Sequence, residues 1–343
     1  MLRATAARLS AASGAGARGG GGGGGGGSGA SAARAGAARA FGSGPQTGAS
    51  AREGDGPVYV LFGATGGIGS ALARRLAAAA AARRGGALVV SGHDEARLRG
   101  LAAALEGQLG GREGALQAAH ADALNPEAVD AVMRRTLERH GRVDGVASCV
   151  GSVEAASLLA TSPADLDRLL RVNTHTAFNV LKAAVKARAR RVMVAETARD
   201  PPGAGGGPGP APGGPGGGSV VLVSAALGGH GVPNYAAMSA AKAAVEGLAR
   251  SAAATYAARG LRVNTVAPGL VETDQTAGFL DNGRLRGASE AMFPTKQLVT
   301  ADDVAAAAEF LLGPASRSIT GHSLPVDGGL SSLHPHRAQD YGV

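Results

Sequence analysis

The sequence predicts an α/β protein: one domain on a doubly wound parallel sheet of about seven strands, with helices on both faces. Three observations carry this. Short apolar runs alternate with helix-spaced stretches over more than 200 residues, the order expected of right-handed βαβ units. The runs are bounded by glycine, as buried strands are. The first of them passes directly into a glycine turn that opens a helix.

V-Y-V-L-F (58–62) is the first strand, followed by G-A-T-G-G-I-G-S-A-L-A-R-R-L-A (63–77), the turn and its helix. A-L-V-V-S-G (87–92) is the second strand, and residues 94–105 repeat apolar side chains at helical spacing. L-Q-A-A-H-A-D (116–122) is the third strand; Pro126 suits the first turn of a helix ending near His140. V-D-G-V-A-S-C-V-G (143–151) is the fourth strand and S-V-V-L-V-S (219–224) another. The arrangement is Rossmann-type.

Two segments cannot be core. Residues 1–56 hold six arginines (Arg3, Arg8, Arg18, Arg34, Arg39, Arg52) against Glu53 and Asp55, a surplus that supplies half of the formal +8 charge. The absence of any acid before Glu53, with Arg, Ser and Ala dominant, is the composition of an organelle transit peptide. A-R-A-F-G-S (38–43) resembles a mitochondrial processing site. A mitochondrion is the expected address, a chloroplast the competing one, and a disordered Ala/Gly leader the plain alternative. Residues 201–218 are a Pro/Gly-rich run without side chains to bury, read as a disordered surface insertion, with a Pro-rich docking segment as the sharper alternative. The domain is expected over 57–332, with 333–343 as a tail.

The totals exclude several classes. No stretch of about 18 uncharged apolar residues suggests a membrane span. No basic block with interleaved aromatics suggests a nucleic-acid surface. Cys149 is the only cysteine, which excludes an internal disulfide and fits a reducing compartment. No metal-ligand set is assigned.

Gly63, Gly67 and Gly69 lie between a strand and a helix, with Thr65 and Ile68 in the same turn. Glycines let backbone approach a pyrophosphate, and the helix N-terminus presents unpaired N–H groups to it. A carboxylate at the end of the second strand would bind the ribose of NAD and repel a 2′-phosphate. That strand ends Ser91-Gly92-His93, so glycine stands where the acid is expected, and His93 could meet a phosphate. The reading is NADP, with NAD possible. Asp94 reads as a helix N-cap.

Together these residues resemble the short-chain dehydrogenase/reductase family, over about Pro57 to Leu330. After the glycine turn, Asp122 and Ala123 match the family's adenine contact. S-C-V-G (148–151) stands where the family has N-N-A-G, placing Val150 and Gly151 at the cofactor. Asn173 in R-V-N-T matches the helix asparagine that holds a proton-relay water. Lys242 matches the catalytic-helix lysine. R-V-N-T-V-A-P-G-L-V-E-T (262–273) matches the strand and turn under the nicotinamide, with Pro268, Gly269 and Thr273. T-G-H-S-L-P-V-D-G-G (320–329) matches the last strand. The resemblance implies hydride transfer between a nicotinamide and a carbonyl or alcohol substrate, in a homo- or hetero-oligomer.

The departures fall on the groups that touch the substrate oxygen. Met238 stands at the family's tyrosine, four residues before Lys242, and Ala225 at its serine. Tyr235, Ser224 and His230 are candidate substitutes, and a water held by Lys242 is a further route. Residues 279–293 are expected to form a lid. Two functions follow: an oxidoreductase with a non-standard proton donor, or a catalytically inactive nucleotide-binding subunit of a larger assembly.

Overall fold

A computed structural model describes residues 56–197 and 217–333. Most of the leader, the insertion and the tail anticipated above therefore lie outside the described residues. Seven strands form one parallel sheet: β1 (Val58–Phe62), β2 (Ala87–Gly92), β3 (Leu116–His120), β4 (Gly145–Ser148), β5 (Gly218–Val223), β6 (Leu261–Pro268) and the later strand β9 (Ser323–Val326), in the order β3-β2-β1-β4-β5-β6-β9. A separate two-stranded ladder pairs β7 (Val271–Glu272) with β8 (Val299–Thr300).

The apolar runs have no polar alternation because both faces of the sheet are covered. Tyr59 and Leu61 point into one core with α1 (Gly67–Ala81), α2 (Glu95–Glu106) and α9 (Ala301–Leu312). Val60 and Phe62 point into the other, with α3 (Pro126–His140), α5 (Thr176–Thr197) and α6 (Ala236–Tyr256). On α1, Leu72 and Leu76 are fully buried one turn apart; truncating either to alanine would cost about 2–5 kcal/mol. Asp94 caps α2 through a bond from the Arg97 backbone N–H, and Asn125 caps α3 ahead of Pro126.

Several boundaries differ from the sequence reading, each at the carboxyl end of a strand. The first helix starts at Gly67, four residues after the turn begins. β4 stops at Ser148, so Cys149 lies beyond the strand rather than within it. β5 stops at Val223, so Ser224 is a loop residue. Near the sheet's edge the chain leaves the ladder to build loops, and apolar content does not mark that departure. Two further helices, α7 (Asp274–Leu280) and α8 (Gly283–Met292), occupy the stretch between β7 and β8. The β7–β8 ladder closes this stretch into a loop standing off the main sheet. α4 (Pro163–Leu170) precedes α5, and among the described residues no helix is long and apolar enough to cross a membrane.

Candidate active site

Strand order reverses between β1 and β4, and a crevice opens over their carboxyl ends. Close backbone approaches build it. Gly63 has φ +73°, and a Cβ there would lie 2.7 Å from the Val150 backbone nitrogen. At Gly69 a Cβ would lie 2.0 Å from the Gly63 carbonyl oxygen, and at Gly67 2.5 Å from Thr273 Cγ2. α1 starts here with glycine at its N-cap, no capping side chain and no acid in the first turn. Its first-turn N–H groups are thus left for an anion, as a pyrophosphate seat requires.

The crevice widens into a cavity of about 540 Å³. Its walls bring together Gly67, Ile68 and Gly69 of α1, Val150 and Gly151 after β4, Lys242 of α6, Pro268 at the end of β6, and Gly269 and Thr273 beyond it. Six of the cofactor candidates do not line it: Gly63, Thr65, His93, Asp122, Ala123 and Asn173. Gly63 shapes the turn from behind. Thr65 packs over Gly92, where a Cβ would stand 3.1 Å from its side chain, so a carboxylate side chain at 92 would crowd it. His93 is exposed, and its carbonyl meets His120 Nε2 at 2.9 Å. Asp122 is exposed, its Oδ1 accepting from the Leu124 N–H at 2.8 Å, the bond of an Asx turn.

Asn173 sits in a π-helical turn, Arg171–His175, between α4 and α5; such turns mark functional sites. Its Oδ1 accepts from the Ser152 N–H at 3.2 Å, and its Nδ2 donates to the Leu169 carbonyl at 3.1 Å and faces Met238 Sδ at 3.8 Å. Lys242 Nζ donates to the Val223 carbonyl at 3.1 Å. A Cβ at Gly151 would lie 2.7 Å from Asn173 Oδ1 and 3.2 Å from Lys242 Nζ, so glycine there leaves room for both groups. Lys242 is buried and makes no ion pair among the described residues, and burial lowers its ammonium pKa to about 8.

The candidates for the substrate oxygen separate cleanly. Met238 is fully buried and lines the cavity beside Ala225. Ser224 also borders the cavity, but its hydroxyl donates away from it, to Glu246 Oε1 at 3.0 Å and the Lys242 carbonyl at 3.2 Å. Ser224 is therefore withdrawn: past the strand end its side chain turns toward α6. His230 does not line the cavity. Tyr235 does. It is the N-cap of α6, and the left-handed Asn234 before it (φ 66°) turns the chain there. Burial raises its phenol pKa, so the hydroxyl keeps its proton at neutral pH. Among the described residues it is the one hydroxyl on the wall without a hydrogen-bond partner.

A family model described as Enoyl-(Acyl carrier protein) reductase matches residues 63–197 and 211–331. The chain is a member of the short-chain dehydrogenase/reductase family. It is 30% identical over 278 residues to the 3-oxoacyl-[acyl-carrier-protein] reductase FabG of Vibrio cholerae, covering 80% of this chain and 98% of that protein. Among solved structures it resembles a short-chain type dehydrogenase/reductase from Mycobacterium ulcerans, at 27% identity and TM-score 0.67 over 80% of this chain and 90% of the other. It also resembles a gluconate 5-dehydrogenase from Burkholderia cenocepacia J2315 in complex with NADP and tartrate, at 26% identity and TM-score 0.67 over 82% and 97%.

Within this short-chain dehydrogenase/reductase, sequence reasoning missed much of the substrate side. Cys149, Leu227, Val232 and Gln275 line the cavity, as does Phe293, the last residue of the stretch expected as a lid. Val232 adjoins the Tyr235 motif, a usable signal. Phe293 carried a hidden one: its ring occupies the space a Cβ at Gly269 would take, 2.5 Å from Cε1. Gln275 reaches across the crevice to the Gly151 carbonyl at 3.2 Å, a contact no local pattern announces.

Proposed function

We propose that this chain binds NADP(H) in the crevice and interconverts a carbonyl and an alcohol by hydride transfer, with Tyr235 as the hydroxyl that serves the substrate oxygen. The observation that carries this is the unpartnered, protonated Tyr235 phenol on the same wall as Lys242 and the glycine turn. Bound nicotinamide supplies or accepts the hydride. Gly67 and Ile68 seat the diphosphate on α1's free N–H groups. Lys242, fixed at the Val223 carbonyl, presents an ammonium to the nicotinamide ribose, and Asn173, buried behind the wall, holds the Ser152 backbone in place. Pro268, Gly269 and Thr273 border the nicotinamide; Asp122 and Ala123 flank the adenine. Gly92 leaves no carboxylate to repel a 2′-phosphate, which supports NADP over NAD, as does the NADP bound by the gluconate 5-dehydrogenase. Tyr235 Oη donates to the carbonyl oxygen and gives up its proton as the alkoxide forms.

The test is NADPH oxidation against a carbonyl panel. Tyr235→Phe is expected to lower kcat/KM by about 10²–10⁴, with Met238→Ala close to wild type in turnover per folded molecule. Equal turnover by Tyr235→Phe and wild type removes the assignment.

A second reading is favoured by Met238 and by Ser224 facing Glu246: an inactive nucleotide-binding subunit of a homo- or hetero-oligomer. It expects tight NADPH binding without turnover, and turnover gained when Met238→Tyr and Ala225→Ser are combined. The Arg-rich, acid-poor leader supports a mitochondrial location, with a chloroplast as alternative; imaging of the full chain fused to a fluorescent protein decides between them.

A further inference from the structure

We infer that the substrate side of this cavity takes an uncharged, predominantly apolar carbonyl or alcohol ligand and discriminates against carboxylates and other anions. The inference rests on the hydride-transfer site proposed above and adds the chemical class of its ligand.

Charge is the first observation. Among the described residues that line the cavity, Lys242 is the only charged side chain. It is held at the Val223 carbonyl beside Gly151 and Asn173, on the cofactor side. Among the described residues no arginine, histidine or second lysine lines the cavity, so an anion placed away from Lys242 would be buried unpaired, at high cost.

Hydrogen bonding is the second. Most polar groups on the wall are already engaged within the protein. Ser289 Oγ donates to the Leu285 carbonyl at 2.8 Å, Thr276 Oγ1 to the Val271 carbonyl at 2.7 Å, and Gln275 and Ser224 as described above. Thr273 Oγ1 pairs with Thr276 Oγ1 at 3.4 Å, and Ser152 Oγ accepts from Asn173 at 3.4 Å. Among the described wall hydroxyls Tyr235 alone has no partner; beside it the Ser152 O–H and the Gln275 Oε1 are left open. So few open groups suit a single carbonyl oxygen better than a chain of hydroxyls.

The third is the entrance. Val153, Phe279 and Met292 line the cavity while remaining 48%, 41% and 45% exposed. Phe279 stands next to the end of α7 and Met292 ends α8, so this α7–α8 stretch presents apolar groups to water at the rim. An apolar ligand passing them would cover surface that the free protein leaves wet.

The experiment compares two ligands that differ at one end: methyl heptyl ketone, and the keto acid in which its terminal methyl is a carboxylate. Each is titrated by calorimetry into the full chain, nucleotide-free and saturated with oxidised NADP, which cannot reduce a ketone. The ketone is expected to bind at least about tenfold more tightly than the keto acid. Its Kd should fall about threefold per methylene from methyl butyl to methyl heptyl ketone. Met292→Arg, which sets a cation at the rim, should bring the two affinities within about threefold of each other. Equal or tighter binding of the keto acid by the unmodified chain overturns the inference, and so does failure of the ketones to bind in either state. Nucleotide binding, read in separate titrations, decides the cofactor assignment: a chain that binds NADP but prefers the keto acid loses this inference and keeps that reading.

Discussion

The amide of Asn173 faces the thioether of Met238, with Nδ2 3.8 Å from Sδ. A thioether accepts weakly and donates nothing, so the helix position one turn before Lys242 holds no proton to give. Met238→Leu keeps the volume and removes the sulfur. It should change kcat/KM and NADPH affinity by less than about threefold and cost under about 1.5 kcal/mol in urea unfolding. A tenfold loss of turnover would mean the thioether acts in the reaction and would undercut the role given to Tyr235.

Gly69 and Gly100 both lie inside helices, α1 and α2, and alanine should affect them in opposite directions. At Gly69 the added methyl would sit 2.0 Å from the Gly63 carbonyl oxygen; at Gly100 it meets nothing within 4 Å. Gly69→Ala must push α1 away from the turn that seats the diphosphate, with an expected loss of more than about tenfold in NADPH affinity together with a lower Tm. Gly100→Ala relieves the chain entropy of an exposed helical glycine and should stabilise by about 0.5–1 kcal/mol without affecting binding. Titration of NADPH and thermal melts read both.

Lys242 makes stability depend on pH in a defined sense. Burial lowers its pKa from 10.5 to about 8. Below about pH 8 the folded chain carries a buried ammonium without a counter-ion, and the cost is fully present. Between there and 10.5 the folded state releases a proton that the unfolded chain still binds, so stability rises with pH. In the absence of nucleotide, Lys242→Met should stabilise by on the order of 1–3 kcal/mol at pH 7, with the gain shrinking toward pH 10. Urea unfolding at the two pH values measures it; a gain that grows with pH would contradict the assignment.

The sheet was legible because its signals are local. V-Y-V-L-F and A-L-V-V-S-G are buried on both faces, so their composition alone marks them, and Asp94 and Pro126 announce the helices that follow. The glycine turn was legible because Gly63 takes a positive φ and Gly69 answers to the Gly63 carbonyl six residues back, both local demands. The substrate side was not. Whether Ser224 faces the cavity or Glu246 depends on where β5 ends, and Glu246 lies on a helix 22 residues further along. Gln275 and Phe293 enter the site because the β7–β8 ladder closes the stretch that carries α7 and α8 into a loop beside it. His93 and Asp122 stand at strand ends as expected, yet the Asp122 side chain closes a local turn and the His93 carbonyl meets His120 on the neighbouring strand, and neither lines the cavity.

Cys149 tests how dry the crevice is. It follows β4, lines the cavity, and burial raises its thiol pKa to about 12, with the Lys242 ammonium pulling the other way. The thiolate is the nucleophile, and its fraction at pH 8 should be roughly a thousandfold below that of an unfolded chain. Iodoacetamide at pH 8 should therefore label the native protein about a thousand times more slowly than the denatured protein, followed by mass spectrometry of the Cys149 peptide. Lys242→Met removes the one charge that favours the thiolate, so labelling should slow further. NADPH should slow it as well, because Val150 and Gly151, the next residues along, border the proposed nucleotide. Labelling at the denatured rate would mean that water reaches the floor of the site freely; Lys242 would then titrate near its ordinary value, and the pH dependence argued above would vanish with it.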